Sequence, residues 1–390
     1  MVLVTVLSIL LLFAFATRSQ SRTYRHLSGA ALVGHVLLAL FVIPALPYQW
    51  DITTFHTAAS QVASGSLPSN SVSVNAFGAF QGFLYVIFGD GPTTLSLING
   101  LLAVLIPIPM FSLSRRLYLS AIDSTDGVAA LALFAPLPFL FLTLPMRDTL
   151  SVLLLFVTLV LVTNVVTRAR YWHGLAVIPL VGCLLLLRTE LALLLLVGSI
   201  AAGIVSVLDT VARHKISFVT LMLAVLPTGV VGFLLFTHEF PLASLNDILT
   251  SRASGSAVYL DGVTYDSWTD VLLLAPVRAL FFQFAPFPLH VNSPFDLLAI
   301  LELPLLVVLT VAAYRSLAAC ETNESVLALL LTVYLGGIVG YGLIDSNFGT
   351  TVRHRIPFMF LLVVFASPVL ERRRRSLRRW FGERQRDDDH

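Results

Sequence analysis

The sequence predicts an all-α polytopic membrane protein, with about eleven transmembrane helices and with interfacial or re-entrant segments on its outer face. Three observations lead there. Of 390 residues, 57% are apolar and only 12% charged, whereas a soluble domain is typically about a quarter charged. Apolar stretches of bilayer-crossing length recur from the first residue to about residue 370. The charges fall between these stretches, and on one side in particular.

A span needs about 20 mainly apolar residues. By that measure spans fall near 2–16, 28–47, 94–111, 127–144, 149–167, 174–187, 190–208, 217–236, 297–315, 325–343 and 356–370. Two further apolar segments, 77–88 and 271–289, are ambiguous, and the excess of Lys and Arg in cytoplasmic loops decides them. If neither crosses, the inner side receives Arg18, Arg22, Arg25, Arg115, Arg116, Arg168, Arg170, Arg213, Lys215, Arg315 and eight tail arginines. The outer side receives only Arg147, Arg188, Arg252, Arg278, Arg353 and Arg355. Either segment counted alone as a span inverts later loops against this bias. Both are therefore expected on the outer face.

The expected protein is a multi-pass cell-membrane protein, N-terminus outside and C-terminus cytoplasmic. One membrane domain covers 1–370, with outer loops 48–93 and 237–296, and a cytoplasmic basic tail covers 371–390. The first arginine, Arg18, follows the first apolar run instead of preceding it, unlike a secretory signal peptide. Cys183 and Cys320 match no metal or redox spacing. The tail arginines, Arg372 to Arg375 with Arg378 and Arg379, suit anionic lipid at about 1 kcal/mol per residue. Nucleic acid is a poor partner for a segment tied to the membrane.

Ionisable residues near bilayer depth are costly and carry a functional reading by default. Asp51 opens the first large outer loop. Behind it Ile52, Phe55, Ala59, Val62 and Ala63 share one helical face, flanked by Asp51 and His56. Asp51 either caps this amphipathic helix or acts as a general base at the water–lipid boundary. Arg147-Asp148 and Arg188-Thr189-Glu190 occupy short turns between apolar spans, as polar hairpin turns or as part of a site. Arg353, His354 and Arg355 stand just ahead of the last predicted span. They serve either as headgroup anchors or as a fork for phosphate oxygens. Arg252 lies in the second outer loop, before an Asp261-Gly262 turn signal with β-rich flanks. Glu302 is the one acid inside a predicted span, and an arginine partner would offset its desolvation.

Four of these features resemble the GT-C membrane glycosyltransferases, which use polyprenyl-phosphate-linked sugars. They are Asp51 ahead of Phe55, His56 and Ala59; Arg147-Asp148 heading a span; a long outer loop with broken segments; and the stretch from Gly349 to Pro357 at the last span. The sequence departs from the family in one extra span before the Asp51 loop, and in lacking both a second acid beside Asp51 and a soluble C-terminal domain. The resemblance implies a lipid-linked sugar donor, a glycan or protein acceptor, and catalytic carboxylates at Asp51 and Asp148. It places His56, Arg147, Arg252, Arg353, His354 and Arg355 at the substrates. No cofactor is implied, and a divalent metal between Asp51 and Asp148 stays open. A polysaccharide repeat-unit polymerase or ligase, and a flippase for lipid-linked sugars, are the alternative expectations.

Overall fold

The structure is a computed structural model. It describes residues 2–45, 50–119, 126–168, 172–212, 218–253, 257–290 and 294–387, of which 50–51, 168, 210–212, 218–226, 294–296 and 372–387 are described by backbone alone. The described residues are overwhelmingly helical, and contain two isolated β-bridges but no strand.

The helices in chain order are α1 (Val2–Thr17), α2 (Arg22–Leu37), α3 (Trp50–Ala63), α4 (Val72–Phe88), α5 (Pro92–Leu105) and α6 (Pro107–Leu117). There follow α7 (Asp126–Phe134), α8 (Pro136–Thr143), α9 (Asp148–Arg168), α10 (Trp172–Leu187), α11 (Thr189–Ala212) and α12 (Phe218–Glu239). The last are α13 (Leu242–Arg252), α14 (Trp268–Phe284), α15 (Pro294–Ala319), α16 (Glu324–Ile344) and α17 (Phe348–Asp387). α2 continues through a π turn and a 3-10 turn to Ala45.

Among the described residues seven helical segments are long and apolar enough to cross a membrane, or up to nine if each of two bent pairs is one span. Proline explains both bends. It opens α8 and, lacking an N–H, cannot continue α7, so the two meet at 62°. Pro241 caps α13, which leaves α12 at 73°. Large apolar side chains stand exposed along the outside, such as Leu11, Leu175, Ile178, Leu273 and Leu301. In water that surface would be a liability; in a bilayer it is the lipid-facing wall. The protein is an all-α membrane-embedded protein.

Where residues are described, each predicted span falls on a helix or bent pair, but α1 and α10 have only 16 residues each, and residues 46–47 and 217 of two predicted spans lie outside the described residues. The segment expected at 77–88 is the longer α4, which starts just after Ser71. The β-hairpin expected around Asp261-Gly262 does not form. The turn is there, with Gly262 at φ 71°, but its first flank pairs elsewhere: Tyr259 N–H donates to Ser346 O at 3.0 Å and Phe348 N–H to Ala257 O at 2.8 Å.

α17 runs through the middle, and residues 354–368 are all buried. Lipid tails are as apolar as leucine, so helix association here depends on close packing more than on the hydrophobic effect. Small residues permit that approach. A Cβ at Gly342 would lie 2.8 Å from the Arg278 carbonyl oxygen, so α14 rests directly on the α16 backbone.

Contacts sort the helix ends into two groups. At one end Arg116 donates to Val160 O and to Asn164 Oδ1, at 2.8 and 2.6 Å. Asn323 N–H donates to Leu117 O at 2.7 Å, and Gly127 lies beside Leu370. At the other end Asn99 donates to Leu144 O and Met146 O at 2.6 and 3.0 Å, and His35 Nδ1 meets Thr143 Oγ1 at 2.6 Å. α14 lies at this second end, along α16. Replacing Gly342 with Ala forces α14 off α16. The expected cost is that of overpacking, about 1–3 kcal/mol, read as a lowered thermal unfolding temperature in detergent micelles. An unchanged temperature would show the contact to be slack.

Candidate functional site

The second end of the bundle carries a connected set of buried charges, and helix termini position each one. Asp148 is the first residue of α9, where a carboxylate faces free backbone N–H groups. Arg188 occupies the single-residue break between α10 and α11. Asp345 follows α16, and His354 stands two turns into α17.

Arg188 is the bridge. One guanidinium nitrogen donates to Asp148 Oδ1, and another donates to His354 Nε2 at 2.7 Å. An arginine can only donate, so Nε2 accepts and the ring proton sits on Nδ1. From there it donates to Asp345 Oδ2 at 2.9 Å. The other Asp345 oxygen accepts from Arg252 at the end of α13. A single chain of contacts thus ties α9, the α10–α11 break, α13 and α17. Arg353 adds to it, with Nε 3.6 Å from Asp148 Oδ2 and Nη1 donating to Met146 Sδ at 3.4 Å. Arg147 lies over the Phe55 ring, 5.8 Å from its centre, and its buried Nη1 has no hydrogen-bond partner. Burial, with Arg188 nearby, pulls Arg147 down to about 10, so it stays charged at neutral pH.

α14 closes the far side. Arg278 is 1% exposed, sits over the Tyr265 ring at 5.3 Å, and donates to Asp345 O at 3.3 Å. Its Nε and Nη2 have no partner, nor do either of the Gln283 amide atoms. Buried polar atoms of this kind mark places for water or a ligand.

The predicted site residues separate on this geometry. Arg147, Asp148, Arg252, Arg353 and His354 come together. Both oxygens of Asp148 face guanidinium groups, of Arg188 and Arg353. Both His354 ring nitrogens meet partners within the protein, Arg188 and Asp345. Arg252 ties the second loop to Asp345. Arg355 is turned away altogether. It is 1% exposed and donates to Ala285 O at 2.7 Å, Gln283 O at 3.2 Å and Glu302 Oε2 at 3.2 Å. This is the partner that Glu302 needs inside its span, and it leaves Arg355 a structural residue. The reason is helical: α17 begins at Phe348 and not after Arg355, so Arg353 and Arg355 stand about 200° apart on it.

His56 lies outside the cluster. It is half-exposed and joins α3 to α4 through Tyr85 Oη at 2.9 Å, with Asp90 at 3.7 Å. Asp51 lies in the first turn of α3, and its side chain is outside the described residues. Among the described residues no three metal-ligating side chains converge.

Asp345 and Arg278 were not singled out as site residues by their sequence, and Arg188 was read there either as a hairpin turn or as part of a site. Asp345 offered one signal: an acid between two apolar helices with an arginine-rich stretch behind it. No protein-family model, no curated protein and no solved structure matches this chain. Fold and charge together define the class, an all-α membrane protein with a buried ionic cluster at one end of its bundle.

Two predictions follow the chain of contacts. Arg188→Met leaves Asp148 buried without its main partner, a loss of about 3–5 kcal/mol. The Arg188→Met/Asp148→Leu pair is expected to unfold at a higher temperature than Arg188→Met alone; a pair no more stable than the single variant would contradict the bridge. Burial pushes the Asp345 carboxyl from 3.8 up to about 6, against the pull of Arg252 and Arg188. A folded-state value above the unfolded one means the fold binds the proton more tightly. Stability from this group is therefore full below about 3.8 and is lost as pH rises through about 6. The unfolding temperature of the wild type minus that of Asp345→Asn is thus expected to be larger at pH 4 than at pH 7. A pH-independent difference would exclude the titration.

Proposed function

We propose that the protein is a membrane glycosyltransferase that moves a sugar from a polyprenyl-phosphate donor to a glycan or protein acceptor, at the extracytoplasmic face of the cell membrane. In this reading the chain spans the membrane eleven times, with α1 and α10 as short spans. The N-terminus is outside and the C-terminus cytoplasmic, so the Arg188 end is the outer end. The positive-inside bias supports that orientation, as does the grouping of helix ends by contact.

One observation carries the reading. Among the described side chains the guanidinium groups of Arg147, Arg188, Arg252, Arg278 and Arg353 gather around the carboxylates of Asp148 and Asp345, with Glu190 nearby. Arg147 and Arg278 both hold buried N–H groups with no partner. An anion placed there would take up those donors. A lipid-linked phosphate is the anion that a site at the end of a lipid-facing bundle meets most readily.

Arg353 and Arg147 hold the donor phosphate, while Asp148 and Arg188 keep those arginines in position. Asp51 takes the proton of an acceptor hydroxyl, and the oxygen attacks the anomeric carbon. The bond from that carbon to phosphate breaks with its electron pair on the leaving polyprenyl phosphate. The arginines stabilise the charge gathering there, the kind of pre-organised electrostatic contribution that dominates many enzymes.

Purified full-length protein assayed with synthetic polyprenyl-phosphate sugars tests this. Asp51→Asn is expected to lower transfer about 10²–10⁴-fold with donor binding intact. Arg353→Gln with Arg147→Gln is expected to weaken donor binding at least tenfold, since a hydrogen bond to a charged group contributes about 1.5–3 kcal/mol. Wild-type transfer by Asp51→Asn removes the base, and unchanged donor affinity in the arginine pair removes the clamp.

A further inference from the structure

The opposite end of the bundle has its own cavity, of about 420 Å³. That lies within the roughly 300–1,000 Å³ typical of small-molecule sites. It lies where α15 and α17 part, and Tyr314, Arg315, Ser316, Cys320, Pro368 and Val369 line it. Nothing in the sugar-transfer reading uses it.

Three features identify an occupant. Arg315 brings an exposed positive charge to the cavity rim, beside Tyr314, which is 73% exposed. An exposed tyrosine beside an arginine at the end of a membrane helix marks the headgroup level. Next, Val307 and Val311 are exposed on α15 and lead to Tyr314 at helical spacing, while Val308 leads to Arg315. The result is an apolar, lipid-facing strip that ends at a basic rim. Finally, α17 does not stop at the cavity but continues as one helix to Asp387. Arg372 and Arg373 follow Pro368 and Val369 in its sequence.

We infer that this cavity seats the headgroup of an anionic phospholipid, with one acyl chain lying along the exposed valine strip of α15 and the phosphate at Arg315. A zwitterionic lipid fills the same volume but gains nothing net from the arginines. A protein partner would not need the apolar strip.

The test is native mass spectrometry of the full chain in detergent, titrated with phosphatidylglycerol or phosphatidylcholine. Two variants separate charge from shape: Arg315→Gln removes the charge, and Ala318→Trp fills the cavity and keeps the charge. Wild-type protein is expected to hold its first phosphatidylglycerol in preference to phosphatidylcholine. At about 1 kcal/mol for one basic residue at the surface, Arg315→Gln is expected to bind it about fivefold more weakly. Ala318→Trp is expected to lose it to a similar extent with an unchanged unfolding temperature. Equal binding of the two lipids by the wild type would overturn the assignment. So would wild-type affinity in either variant, which would leave any bound lipid to the tail alone.

Discussion

Arg188 holds one carboxylate and one imidazole at once, and the charged end of the bundle is built around that double contact. Asp148 begins α9, His354 belongs to α17, and the residue that joins them sits between α10 and α11. Removing charges from water is costly, and a buried pair is worth having only when its geometry is complete. Here completeness comes from a relay. Asp345 fixes the proton on His354 Nδ1, which leaves Nε2 to accept from Arg188. Arg252 occupies the other Asp345 oxygen and draws in the loop after α13. Packing follows the same constraint: Gly342 lets α14 lie against α16, which sets Arg278 over the Asp345 backbone.

The two ends of the bundle contrast in how they handle arginine. At the Arg116 end the guanidinium donates to Val160 O, Thr163 and Asn164 on α9. At the Arg188 end carboxylates are recruited, and buried N–H groups of Arg147 and Arg278 are still left without partners. A buried donor without a partner is costly, and the proposed anionic substrate would take these up. Glu302 and Arg355, a neutralised pair a short way inside, show how the same protein treats a purely structural charge.

Much of this was legible in the sequence, because apolar run length and charge sidedness are bulk properties that survive errors of a few residues. Among the described residues the apolar runs lie on helices, seven of them long enough to cross a membrane and up to nine if each bent pair is one span. The site was less legible. Arg353, His354 and Arg355 read as one clamp when the last helix is taken to start after them. With the helix starting at Phe348, the same three residues point to Asp148, to Asp345 and Arg188, and to Glu302. The difference is eight residues of helix start, which hydropathy cannot locate because Asn347 to Arg355 is polar enough to pass for a loop. Likewise the β-rich flanks of Asp261-Gly262 do not reveal that the partner of Val258 is Asn347 and not the other side of the turn.

The central claim is that a lipid-borne phosphate occupies the arginine-rich end. Photo-crosslinking tests it most directly: a polyprenyl-phosphate sugar with a photoreactive group beside the phosphate is irradiated with the full-length protein in lipid nanodiscs, and the labelled residues are identified by mass spectrometry. Label within residues 144–149 and 348–355, competed away by unmodified donor, is the predicted result. Label confined to the Arg315 end, or scattered along lipid-facing helices and insensitive to competition, would contradict it.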